Sequence, residues 1–216
     1  CIVCGLKQTS GNIWAPAFDK DYSDLASFKC DFIYWINTEL LSSSVNKIYK
    51  RGLITELYPE NMSFGEDLVF VLNYLKHCNR ISFTQEPLYQ HEVYNSVSLT
   101  HSFSPARFSN LEDIQKAILD FADDKNKINP RIYDKYVKDA LHLTRMWYKN
   151  KNVPYIRKKE IIGEWLKQSY IRKLKISDYQ LHWKDRMLLH SLHMSCFIGI
   201  NWIVNGKEYI NSLSKE

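Results

Sequence analysis

Residues 63–91, SFGEDLVFVLNYLKHCNRISFTQEPLYQH, constrain the fold more than any other stretch. Leu68, Val71, Leu72, Leu75 and Cys78 recur at helical spacing, so a helix here buries one stripe. Ser63-Phe64-Gly65-Glu66 fits a capping box, with Glu66 at the third helical position. Residues 81–85 read as a strand, and Pro87-Leu88-Tyr89 opens a second extended segment over 87–94. A helix followed by extended segments places this half of the chain in the α/β class.

Upstream, residues 1–6 read as a strand and Gly11 to Phe18 as an irregular second one. From Asp24, the spacing of Leu25, Phe28, Phe32, Ile33, Ile36 and Leu40 predicts one helix, which the polar run Leu41-Ser42-Ser43-Ser44 ends. After Pro105 the pattern is almost entirely helical, with helices predicted near 106–122, 131–149, 155–169 and 182–204. Asn129-Pro130 and Asn152-Val153-Pro154 separate them, and proline suits the first position of each following helix. The expected organisation is therefore an α/β part over 1–104 and a helical region over 105–216. Charge divides the same way, with net −3 in the first part and +8 in the second, which suggests modules with different partners. A hydrophobic content of 45% supports a packed core and excludes a disordered chain.

The five cysteines, at 1, 4, 30, 78 and 196, are odd in number and scattered. On a strand, Cys1 and Cys4 would point to opposite faces, so the pair does not read as a metal or redox site. All five read as buried thiols in a reducing, cytosolic setting. The chain opens on apolar Cys1-Ile2-Val3-Cys4 rather than on Met, and this predicts an excised piece of a longer protein.

Glu66 and Asp67 fall in the first turn of the predicted helix, where the macrodipole and free N–H groups favour negative charge. Capping alone accounts for Glu66. Asp67 is a rigidly based, partly exposed carboxylate of the kind that takes a proton from an attacking hydroxyl.

Three elements occur in fixed order: Asn46-Lys47-Ile48-Tyr49-Lys50-Arg51, Phe64-Gly65-Glu66-Asp67 and Pro87-Leu88-Tyr89. In this order and spacing the chain resembles the acceptor-side half of a family-2 glycosyltransferase with a GT-A fold. The resemblance covers residues 1 to about 100 and, loosely, 182–204, where Trp183-Lys184-Asp185-Arg186 matches the start of a late helix in bacterial members. It implies a partial GT-A-like, Rossmann-like mixed sheet. It also implies an inverting transfer of sugar from a nucleotide-sugar donor to a glycan or lipid-linked acceptor hydroxyl, in cell-envelope polysaccharide synthesis. Asp67 would be the general base, Glu66 its orienting or acceptor-touching partner, and Lys47 a neighbour of the site. His91, Ser96 and Ser98 would touch the donor diphosphate. His91 stands where many members carry Arg, and Glu92 beside it would repel a diphosphate.

The family's nucleotide-binding half and its Asp-x-Asp metal signature would lie upstream of Cys1, and a divalent Mg or Mn would belong there. Asp19-Lys20-Asp21 comes after the first strand rather than before it and reads as a polar lead-in to the 24–41 helix. No other phosphate-cradling motif is present. The piece by itself is expected to be inactive, to hold no metal and to bind nucleotide sugars weakly. An incomplete sheet with an unpaired edge near residues 1–6 is expected too, and with it pairing to a second copy.

Residues 155–186 interleave Arg157, Lys158, Lys159, Lys167, Arg172, Lys173, Lys175, Lys184 and Arg186 with Tyr155, Trp165, Tyr170, Tyr179 and Trp183. That pattern suits either a solvated basic face over a helical core or an anionic membrane surface, peripheral at the inner face of the cell membrane. It carries no nucleic-acid-binding motif. Residues 187–206 are uncharged but interrupted by His190, His193, Ser195, Asn201 and Asn205, and read as a buried packing helix. Two non-enzymatic readings stand beside the transferase: a helical interaction domain whose acidic pair is only a cap, and a membrane-docking module.

Overall fold

The computed structural model describes residues 1–92 and 104–206. The protein is mixed α/β, with two small mixed sheets and several helices. It forms two compact units, Cys1–Ser102 with Asp113–Ile132, and Phe103–Glu112 with Tyr133–Glu216. The expected division at residue 104 therefore differs from the folded one, because 113–132 belongs with the first unit. Among the described residues no helix is long and apolar enough to cross a membrane.

The first unit is organised by two chain segments that run side by side in parallel. Strand β1 (Ile2–Val3) pairs with β6 (Ile81–Phe83), and β2 (Leu6–Gln8) pairs with β7 (Tyr89–His91). Between the two pairings, Gly5 N donates to Glu86 O at 2.9 Å. A Cβ at Gly5 would lie 2.7 Å from the Ala15 Cβ, so only glycine admits this crossing. Sheet one has the order β4 (Lys20–Tyr22), β6, β1, β5 (Lys47–Ile48), with β4 and β5 antiparallel to their neighbours. Sheet two has the order β3 (Ile13–Trp14), β2, β7. Both strands within residues 1–8 are thus interior, and the expected unpaired edge near residues 1–6 is corrected. The edges belong to β4 and β5 in one sheet and to β3 and β7 in the other.

Asp19-Lys20-Asp21, read as a polar lead-in to the 24–41 helix, enters it by way of a strand. Lys20–Tyr22 is a strand, because its backbone pairs with β6 and Asp19 Oδ1 accepts from Gln85 N at 2.7 Å. The helix expected over 24–41 is two, α1 (Leu25–Cys30) and α2 (Phe32–Asn37). The break falls at Asp31, whose carboxylate accepts from the Tyr22 hydroxyl at 2.7 Å; that hydroxyl in turn accepts from Trp35 Nε1 at 2.6 Å. Trp35 stacks on Phe83 with ring centroids 3.6 Å apart, so a buried polar chain ties both helices to the sheet.

Helix α3 (Glu66–Leu75) buries Leu68, Phe70, Val71, Leu72, Tyr74 and Leu75, as its periodicity predicts. Its start is not the expected capping box. Gly65 is the cap, at φ +76° with no side-chain cap hydrogen bond, because the chain turns there through a left-handed conformation. Ile114 of α4 (Ala106–Phe121) packs directly over Gly65 and leaves no room for a Cβ. Further along α4, Phe121 joins Phe28 and Phe32, with centroids 6.0 and 4.8 Å away. A four-residue helix, α5 (Asp124–Lys127), follows, capped by Asp123.

In the second unit, α6 (Asp134–Lys149) packs against α7 (Tyr155–Gln168), α8 (Trp183–His193) and α9 (Phe197–Asn205). Pro130 opens a 3-10 turn before α6, and Pro154 caps α7 rather than occupying its first turn. The helix expected over 182–204 is broken between α8 and α9, where Ser195 takes φ +53°. Glu112 gathers this unit. It accepts from the Tyr136 hydroxyl at 2.5 Å, Trp165 Nε1 at 2.6 Å and Tyr170 N at 3.2 Å. Burial pushes its carboxyl above the usual range, against the pull of those three donors.

Trp165 and Tyr179 are buried, which removes two of the five interleaved aromatics from a surface role, and Tyr170 is half-buried. Lys158 is buried as well, with its ammonium on Tyr148 O at 2.7 Å. Of the five cysteines, only Cys4 and Cys78 are buried, and Cys30 and Cys196 are exposed. The expectation of five buried thiols fails because Cys30 closes α1 just before the break at Asp31 and Cys196 lies in the break between α8 and α9, neither of which the periodicity revealed.

Candidate active site

The site begins with Lys47 on β5. Its ammonium is buried and donates to Leu40 O at 2.7 Å, to Asn46 Oδ1 at 2.8 Å and to Ser43 O. Those three acceptors use its three donors. Asn46 is fully buried beside it, donating to Cys4 O at 2.9 Å and to Leu40 O at 3.3 Å. Tyr49 completes the binding of this segment by donating to Ser44 O at 2.9 Å. The serine-rich run that reads as a helix terminator is therefore a loop held against β5 by three side chains.

The loop delivers the Ser44 hydroxyl to Asp67, donating to Oδ1 at 2.7 Å. Asp67 and Glu66 stand in the first turn of α3, and both are half-buried. Burial pushes the Lys47 ammonium down to about 7, while the negative charge of Asp67 pulls it the other way. Burial also pushes the Tyr49 phenol up, with Tyr58 and Asp67 adding to it. Tyr49 packs edge-on against Tyr74 of α3, at 4.8 Å between centroids.

Of the residues expected at the site, Lys47, Glu66 and Asp67 come together. His91 does not join them. It lies on β7 in the other sheet, is exposed, and forms no hydrogen bond with Ser44, Lys47 or Asp67. Ser96 and Ser98 lie outside the described residues. Ser44 and Asn46 are the residues that sequence reasoning missed as site members. Asn46 stands inside the recognised Asn-Lys-x-Tyr element, which was the available signal. Nothing local marks Ser44 among three consecutive serines.

The groups around Asp67, a hydroxyl and a buried ammonium, are not a donor set for a divalent cation, which takes oxygen ligands in number. Among the described residues no group of three or more His, Cys, Asp and Glu side chains is placed to hold a metal ion. His190 is exposed, and the His193 ring meets the Arg172 carbonyl at 3.2 Å. No protein-family model matches the sequence, and a search of curated proteins finds no relative.

Proposed function

We propose that this chain is the acceptor-side part of an inverting glycosyltransferase with a GT-A-like fold, and that Asp67 is its general base. One observation carries the reading. A half-buried carboxylate at a helix start has one oxygen fixed by the Ser44 hydroxyl, in a loop that the buried Lys47 holds in place. A base must be rigidly aimed and within hydrogen-bond reach of the proton it removes, and this arrangement provides the rigidity. In the transfer, Asp67 takes the proton of the acceptor hydroxyl as that oxygen attacks the anomeric carbon and the nucleotide diphosphate leaves. Glu66 stands beside it to meet the acceptor.

The donor, a nucleotide sugar, would be held largely by residues outside this sequence, with Mg or Mn on its diphosphate. The acceptor would be a glycan or lipid-linked hydroxyl in cell-envelope polysaccharide synthesis, at the cytoplasmic side. The test is Asp67→Asn in the longest chain that the gene encodes, assayed with UDP- and GDP-sugars and glycan acceptors. Turnover should fall by about a hundredfold or more with an unchanged melting temperature. Transfer that survives the substitution would overturn the reading.

A further inference from the structure

The C-terminal helices carry an exposed apolar crest that the proposed chemistry does not use. Helix α9 packs inward through Ile200, which is fully buried, and through Gly199, where a Cβ would lie 2.9 Å from the Ser191 Oγ. On the opposite side Met194, Ile198 and Trp202 are 74%, 64% and 46% exposed. Ile198 and Trp202 are one helical turn apart on α9, and Met194 is the exposed residue that ends α8 just before the break.

Two cations stand beside these residues. Arg172 Nη2 donates to the Ser195 hydroxyl at 2.8 Å, next to Met194. The Lys159 ammonium stands over the Phe197 ring, 5.6 Å from its centroid and next to Ile198. Both side chains belong to exposed residues. Residues 187–206 contain no charge at all, whereas 155–186 contain nine Lys and Arg against four Asp and Glu.

We propose that this crest docks the protein on an anionic lipid bilayer. Met194, Ile198 and Trp202 enter the boundary between headgroups and acyl chains, with α9 lying in the plane of the surface. Lys159 and Arg172 meet the lipid phosphates. The chemistry favours lipid over a protein partner for two reasons. Three exposed apolar side chains fall well short of the roughly 800 Å² per partner of a stable protein interface. A small set of exposed apolar side chains that includes Trp and has cations beside it is what an interfacial helix presents. The crest takes its cations from the basic–aromatic run 155–186 but not its apolar side chains, since Trp165 and Tyr179 of that run are buried.

Flotation of the whole chain with vesicles tests this. Wild type should bind phosphatidylcholine vesicles containing phosphatidylglycerol about tenfold or more tightly than phosphatidylcholine alone, and raised salt should release it. The Met194→Ser, Ile198→Ser, Trp202→Ser triple variant should lose binding while keeping its circular dichroism. If the triple variant fails to fold, brominated lipids supply a second reading: they should quench wild-type tryptophan fluorescence, and Trp202→Phe should lose that quenching. The proposal is overturned if wild type does not float with anionic vesicles, or if the folded triple variant floats equally well. It is also overturned if bromolipid quenching is the same with and without Trp202, or if the crest instead mediates a concentration-dependent dimer without lipid binding.

Discussion

Lys47 shows how one side chain can serve both the fold and the site. Its three hydrogen bonds fix the loop that carries Ser44, and burial holds its ammonium down near 7 from an ordinary value near 10.5. The native state therefore binds this proton less tightly than the unfolded chain does. Stability from this group is flat below pH 7 and rises with pH from about 7 toward 10.5. Wild type should gain about 1 kcal/mol per pH unit relative to Lys47→Met between pH 7 and 9.5, read from chemical denaturation at each pH. At pH 7 the same variant should cost about 1–3 kcal/mol, because its buried acceptors lose their donor. Ser44→Ala should be milder, about 1 kcal/mol by thermal melting, since it removes a single half-buried hydrogen bond to Asp67. The sequence showed Lys47, Glu66 and Asp67 as candidates because their residue types and order were distinctive. It did not show Ser44, because hydroxyl side chains are common in loops and only the backbone path selects one of three.

Among the elements, those with a long, clean period were legible. Helix α3 and helices α4, α6 and α7 lie within a few residues of where their apolar spacing puts them. The breaks were not legible. Asp31 interrupts α1 and α2 because its carboxylate is engaged by Tyr22, a contact made across nine residues. Ser195 separates α8 from α9 in a left-handed conformation that no glycine signalled. Gly65 is the opposite case, a glycine whose role appears only when Ile114 is seen above it. Gly65→Ala should destabilise the fold by about 2–4 kcal/mol, combining the cost of a side chain at positive φ with overpacking against α4. Equilibrium urea unfolding checks this, and a loss under 1 kcal/mol would show that α4 can move aside.

For the whole molecule, the partition into units is the main departure from the sequence reading. The composition shift at Pro105 marks where helices take over, yet half of α4 and all of α5 belong to the α/β unit. A chain of residues 1–104 lacks Phe121 and Ile114, and so leaves Phe28, Phe32 and Gly65 uncovered. It should show no cooperative thermal transition by circular dichroism, whereas residues 1–132 should melt cooperatively. A sharp transition in the shorter chain would refute this account of the core. By itself, the sequence determined the α/β class of the first half, the helical character of the second and the place of the acidic pair. Each of these is written in local period and residue type, which act over a few residues. Only the tertiary structure decided that residues 1–8 lie inside their sheets, that Lys47 clamps the serine loop onto Asp67, and that α9 turns an apolar crest outward. Those outcomes depend on which distant segments meet, and burial and hydrogen bonding between them settle it without leaving a mark in the neighbouring residues.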